Sequence, residues 1–121
     1  VIFHGFKTGA EFNYLMDNMD VLVNVRPTGM EFTKYSFPSK LFEYIMRDKI
    51  VVSSKLRTIP EELVDCFEYF DELEPNFISD KLIEVCSDLK KFKNIRGKEL
   101  VLEHYSLNAI SIKLSKLMRG L

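Results

Sequence analysis

Short apolar runs alternate with segments of helical periodicity, and this alternation limits the fold of the chain more than any other feature. Val21-Leu22-Val23-Asn24-Val25 is nearly continuous and apolar, as expected of a strand buried on both faces, and Ile50-Val51-Val52 predicts another strand. A helical segment between them starts near Pro38, which suits a first turn, and ends near Met46. This order predicts a parallel sheet with crossover helices, and therefore an α/β fold with three layers.

The pattern extends toward the first residue. Val1-Ile2-Phe3 predicts a short strand that ends at Gly5, and Thr8 with Glu11 matches a capping box at the start of a helix. That helix has one apolar stripe, formed by Phe12, Leu15, Met16 and Met19. Because the chain begins on a strand and the sheet is small, we expect residues 1–121 to form one domain that lacks strands on its N-terminal side.

The second half of the chain continues with weaker signals. Residues 59–63 predict a short helix and residues 66–70 an edge strand, and two or three helices follow. Two apolar stripes mark these helices: Leu82, Val85, Cys86 and Leu89 in the first, and Leu107, Ile110, Leu114, Leu117 and Met118 in the second.

Composition excludes several classes of function. The 17 basic and 18 acidic residues give a net charge of −1, which argues against a nucleic-acid-binding protein. The sequence contains neither an apolar run of about 20 residues nor a signal peptide, so we expect a cytoplasmic protein. Cys66 and Cys86 lack metal-ligand spacing and are expected to be reduced and mostly buried. The acidic clusters near residues 61 and 71 do not suggest a metal site.

Three segments should meet at the carboxyl edge of the predicted sheet, where α/β proteins bind ligands. They are residues 5–7, 26–40 and 53–55. The middle segment ends in Ser36-Phe37-Pro38-Ser39-Lys40, which places hydroxyls, free N–H groups and a lysine at a helix start and so predicts an anion site. Glu43 should lie on the same helix face as Ser39, about 5–6 Å further along, within reach of the hydroxyls of a bound sugar. Alternatively, the serines only cap the helix and Glu43 is solvated.

Other residues near this edge have two interpretations each. Arg26 could contact a phosphate or pair with Glu31. For Lys34, too, both a phosphate contact and an ion pair within the protein are possible. Tyr35 could stack on a ring or pack against the protein. His4 precedes Gly5 and could line a base pocket or be a structural strand residue.

The residues from Val21 to Tyr44, and above all Lys34-Tyr35-Ser36-Phe37-Pro38-Ser39-Lys40-Leu41-Phe42-Glu43-Tyr44, resemble family 4 retaining glycosyltransferases that build bacterial surface polysaccharides. The resemblance covers about half of the chain, from its first residues to Leu63. It implies a Rossmann-like domain, the C-terminal nucleotide-sugar-binding part of the two-domain GT-B fold.

For function, the resemblance implies binding of a nucleotide-diphosphate sugar as donor substrate, without a metal or another cofactor. Gly5, Phe37, Pro38, Ser39 and Lys40 would hold the diphosphate, and Glu43 would bind the ribose. Many members carry an earlier glutamate near the transferred sugar, and Tyr35 occupies that position here. Catalytic residues are unknown, with Lys40 and Arg26 as candidates.

The resemblance also implies a glycan or lipid-linked acceptor bound through an N-terminal domain, and peripheral association of the full-length protein with the inner face of a membrane. Two other functions remain open. A GT-B epimerase or phosphorylase would share the phosphate site. A non-catalytic α/β interaction domain is the second alternative, although a phospho-receiver is disfavoured because Asn24-Val25-Arg26 lacks the acidic residues of receivers.

Overall fold

A computed structural model of the chain describes residues 1–93 and 96–120. Six α-helices, three strands and two 3₁₀ helices occur in these residues. In chain order they are α1 (Gly9–Asp17), β1 (Val21–Asn24), a 3₁₀ helix (Glu31–Lys34), α2 (Ser39–Met46), β2 (Ile50–Ser53), a 3₁₀ helix (Glu61–Cys66), β3 (Glu68–Tyr69), α3 (Pro75–Ser87), α4 (Leu89–Phe92), α5 (Gly97–Tyr105) and α6 (Leu107–Arg119).

The three strands form one parallel sheet in the order β1-β2-β3. Val21 is opposite Ile50 at the start of the first pair, and Val52 is opposite Glu68 in the second. The strand at β2, the edge position of β3 and the end of α2 at Met46 were all predicted from the sequence and are confirmed. The chain is therefore an α/β protein, and its open sheet is compatible with a Rossmann-like layout.

Helices cover both faces of β2, whose residues are apolar on both sides. Val51 packs into a cluster formed with α2, the second 3₁₀ helix and α5, in which Leu41 and Leu63 have no exposed surface. Its neighbours Ile50 and Val52 point to the other face and pack with Phe70 and with Val85 of α3. This confirms the arrangement of helix, sheet and helix expected from the alternation of strands and helices.

The predicted first strand is wrong. Val1, Ile2 and Phe3 are exposed and belong to no strand among the described residues. β-branched composition favours an extended backbone, but a strand also needs a neighbour for its N–H and C=O groups. Because the sheet of the described residues starts at β1, these residues have no such neighbour.

The start of α1 differs from the predicted capping box. Thr8 is the N-cap residue, but its side chain makes no capping hydrogen bond, and Glu11 instead pairs with Lys7 at 3.7 Å. Only Met16 of the predicted stripe is buried, and Met19 lies beyond the helix and is exposed. α1 therefore covers the core over a short stretch only.

β1 is an edge strand and is not buried on both faces, contrary to the prediction. Leu22 is buried, whereas Val23 is 38% exposed and Val25, just beyond the strand, is 49% exposed. The residues of β1 are apolar on both faces of the strand, but the other described residues pack against only one of these faces.

The apolar stripe predicted for the last helix exists but is not buried. In α6 every member of the stripe is at least 48% exposed, and no residue of the helix is buried. The expectation for the cysteines is correct for Cys66, which is buried, and wrong for Cys86, which is exposed on α3; both are free thiols. No described helix combines the length and the apolar character needed to cross a membrane.

A hydrogen bond joins α5 to the second 3₁₀ helix. The Tyr105 hydroxyl donates to Glu62 Oε1 at 2.7 Å. Burial raises the pKa of Tyr105 to about 12, and the bond to Glu62 and the charge of Glu62 add to the effect. Burial also raises the pKa of Tyr69 to about 12. The fold therefore favours the protonated phenols.

We expect the free energy of unfolding to fall between pH 10 and pH 12. A raised pKa in the folded state contributes stability in full below the unfolded value of 10, and this contribution is lost as the pH rises through 12. Tyr105→Phe should make the loss shallower, and Tyr35→Phe, on an exposed side chain, should leave it unchanged. Urea unfolding at pH 8, 10 and 12 measures both effects. Identical pH profiles for the wild type and Tyr105→Phe would contradict this prediction.

Candidate functional site

The N-terminus of α2 is open to solvent. Pro38 is the N-cap residue, and its carbonyl accepts a hydrogen bond from Leu41 N–H at 3.0 Å. The N–H groups of Ser39 and Lys40 have no partner among the described residues, as first-turn donors do, and both residues are exposed. No side chain caps this helix, so neither Ser36 nor Ser39 takes the capping role considered from the sequence.

A cleft of about 380 Å³ lies beside this helix start. Lys40 borders it from α2, and the segment around Gly5 borders it from the N-terminal part of the chain. Gly5 has φ +70°, a left-handed conformation that favours glycine, so the chain can turn there toward α1. The remaining lining residues are His4, Phe6, Lys7, Phe12, Leu15 and Met16. The structure therefore brings Gly5 and Lys40 to one cleft, although the strand that was predicted to place Gly5 there does not form.

Arg26 organises the loop that precedes α2. Its Nη2 donates to Ser36 Oγ at 3.1 Å, and its guanidinium lies 5.2 Å from the centroid of the Phe32 ring. Its backbone N–H donates to Ser54 Oγ at 2.7 Å. The predicted alternative of a pair with Glu31 is wrong, because Glu31 pairs with Lys34 at 3.1 Å. Arg26 thus holds the loop to the sheet edge.

Phe37 and Tyr35 have different environments. The Phe37 ring lies 4.7 Å from the Phe42 ring and packs against the larger core cluster, so only its backbone is free to serve a ligand. Pro38 is buried behind it. Tyr35 is 79% exposed at the end of the first 3₁₀ helix, so its ring does not pack against the protein.

Glu43 belongs to a polar network that joins α2 to α1. Its Oε1 accepts from Arg47 Nη2 at 3.1 Å, and Arg47 also donates to Asp17 Oδ1 at 2.6 Å and to Asn13 Oδ1 at 2.5 Å. The Glu43 side chain remains 42% exposed. Sequence reasoning missed Arg47: its spacing from Glu43 is a helical ion-pair signal, but the two α1 partners depend on tertiary structure.

The segment after β2 is structural. Ser53 and Ser54 have no exposed surface, and Ser53 Oγ accepts from Asn24 Nδ2 at 3.3 Å while donating to the Ser54 carbonyl at 3.0 Å. These hydroxyls satisfy buried polar groups between β1 and β2. Of the three segments predicted at the carboxyl edge, this one fixes the strand ends, whereas residues 5–7 of the first and Lys40 of the second border the cleft.

A second concave region of about 540 Å³ lies along α1 and shares His4, Lys7 and Leu15 with the cleft. Another of about 280 Å³, lined by Ile50 and Phe92 among others, opens at the amino end of β2. Within residues 1–93 and 96–120, no group of three His, Cys, Asp or Glu side chains is placed to hold a metal ion. Comparisons of the chain with protein-family models, curated proteins and solved structures found no match.

Proposed function

We propose that this chain is the donor-binding domain of a GT-B glycosyltransferase and that it binds a nucleotide-diphosphate sugar. One structural observation carries the proposal. The unpaired N–H groups of Ser39 and Lys40 open to solvent at the start of α2, and Lys40 also borders the cleft shared with Gly5. The resemblance of the segment from Lys34 to Tyr44 to family 4 transferases adds the identity of the ligand.

The proposed site suits a diphosphate. Helix N–H groups and the positive end of the helix dipole, about half a unit charge, favour an anion at this position. Lys40 adds a flexible ammonium group and Ser39 a hydroxyl. In a transfer reaction, negative charge builds up on the departing diphosphate, so donors that are already in place would stabilise the transition state more than the ground state. Lys40 is the proposed charge-stabilising residue, and Arg26 serves it indirectly by holding the loop.

The rest of the proposed reaction lies outside this chain. The acceptor, a glycan or a lipid-linked sugar, would bind through an N-terminal domain, and this chain alone would bind donor without transferring sugar. We also propose a cytoplasmic protein that associates peripherally with a membrane. The composition of α6 supports this: its exposed apolar stripe is accompanied by Lys113, Lys116 and Arg119 and by no acidic residue.

Calorimetric titration of the chain with UDP, GDP, ADP and pyrophosphate tests the proposal. We expect one nucleoside diphosphate to bind more tightly than pyrophosphate, because the ribose and base add contacts to those of the phosphates. Absence of binding by all four would refute a donor site and favour an interaction domain. Hydrolysis or isomerisation of a nucleotide sugar by a full-length enzyme would indicate the epimerase or phosphorylase alternative.

The Glu43→Ala variant separates the ribose contact from the phosphate contacts. We expect it to weaken nucleoside diphosphate binding by about tenfold, the effect of losing a charge-assisted hydrogen bond of about 1.5 kcal/mol. Pyrophosphate binding should change by less than about twofold, because the helix start is intact. Calorimetry with both ligands measures the difference, and equal losses would mean that Glu43 is structural.

A further inference from the structure

Arg47 contacts three side chains from two helices. Its Nη1 donates to Asp17, and its Nη2 donates to both Asn13 and Glu43. Its own side chain is only 18% exposed, so it is held by these partners and does not sample solvent freely. Two of the partners lie on α1, which also forms a wall of the cleft, and the third is the proposed ribose-binding residue.

The network leaves half of the Glu43 carboxylate available. Oε1 is bound by Arg47, whereas Oε2 has no hydrogen-bond partner among residues 1–93 and 96–120. A glutamate side chain has several rotatable bonds and loses conformational freedom when a ligand orders it. Because Arg47 already restrains Oε1, a hydroxyl that binds Oε2 meets a carboxylate that is already in place.

We propose that Arg47 is a positioning residue for the ribose of the donor nucleotide, acting through Glu43. The inference rests on the proposed function. Arg47 does not touch the ligand; it fixes the direction of the Glu43 carboxylate relative to the α1 wall of the cleft. The planar guanidinium suits this task, because its separate N–H groups can bind partners on both helices at once.

The test compares each nucleoside diphosphate with its 2′-deoxy form, using UDP, GDP and ADP and their deoxy counterparts in calorimetry. We expect the wild type to bind the ribose form about tenfold more tightly and Glu43→Ala to lose this preference. Arg47→Ala should also lose most of it, with little change in pyrophosphate affinity. Combining Arg47→Ala with Glu43→Ala should cause no further loss, because both act through one carboxylate.

Two further variants separate positioning from a purely structural role. Arg47→Lys keeps the charge and part of the bonding, so it should retain an intermediate preference even if Arg47→Ala folds poorly. Arg119→Ala removes the same charge at the end of α6 and should behave as the wild type. If Arg47→Ala or Arg47→Lys keeps the full preference while Glu43→Ala loses it, the role of Arg47 is refuted and the proposed function survives.

The remaining outcomes also decide the question. An Arg47→Ala variant that binds the ribose form more tightly than the wild type would show that Arg47 competes with the ligand, against the inference. Equal losses for the ribose form, the deoxy form and pyrophosphate would show that Arg47 only supports the fold. If the wild type binds none of the nucleotides, the proposed function fails, and the inference fails with it.

Discussion

The Ser39→Asp variant should lose nucleoside diphosphate affinity by about thirtyfold. A carboxylate at the first residue of α2 would lie beside the N–H groups of Ser39 and Lys40, where the diphosphate is proposed to sit. Two unit charges about 4 Å apart near a protein surface repel by between about 1 and 4 kcal/mol, and about 2 kcal/mol corresponds to this loss. Pyrophosphate affinity should fall equally, because the repulsion acts on the phosphates.

Loss of folding should not explain the lower affinity of the Ser39→Asp variant. An acidic residue in the first turn of a helix interacts favourably with the helix dipole, so Ser39→Asp should keep or slightly raise the thermal stability. Asparagine has nearly the same size as aspartate but no charge. The Ser39→Asn variant should therefore bind the nucleoside diphosphate within a few-fold of the wild type. Unchanged affinity in a folded Ser39→Asp variant would exclude the start of α2 as the phosphate site.

Leu41→Ala should be the most destabilising of the single substitutions considered. Leu41 has no exposed surface and packs in the larger core cluster. Replacement of a buried leucine by alanine removes about 2–5 kcal/mol of stability through lost burial and the cavity that remains. A domain of this size is stable by about 5–15 kcal/mol, so we expect a clear fall in the urea midpoint with little change in the m-value.

Leu114→Ala is the matched control. It is also a leucine-to-alanine change within a helix, but Leu114 of α6 is 55% exposed. The same side-chain atoms are removed in both variants, and helix propensity changes little from leucine to alanine, so the difference between the variants reports mainly burial. We expect Leu114→Ala to cost about 0.5 kcal/mol or less. A large effect at Leu114 would mean that the face of α6 is buried in solution.

The parts of the fold that the sequence predicts are those fixed by local chemistry. The run of Ile50, Val51 and Val52 is apolar on both sides, and such a run is stable only as a covered strand. Pro38 and the apolar spacing that follows it predict α2 to its last residue. At Asp48, φ is +55°, so the turn before β2 adopts a left-handed conformation at a residue other than glycine, which composition alone does not predict.

The remaining differences arise from tertiary neighbours that no local pattern encodes. Val1-Ile2-Phe3 and Val23 have strand-like composition, but whether they are paired or covered depends on distant residues. The same holds in the candidate site. Gly5 and Lys40 border one cleft, but the strand from which Gly5 was placed there does not form. The contacts of Arg26 with Phe32 and of Arg47 with Asp17 depend on side-chain reach across the fold.

The exposed helix α6 affects how the molecule opens. Its described ties to α5 are polar, with Lys113 donating to the His104 carbonyl at 3.0 Å and lying 5.4 Å from the centroid of the Tyr105 ring. Because no residue of α6 is fully buried, we expect this helix to detach without disrupting the core clusters, whose last buried member along the chain is Val101. We therefore expect two levels of cooperativity: a unit containing β2, α2 and α5 that unfolds only globally, and a helix α6 that opens at a smaller free-energy cost.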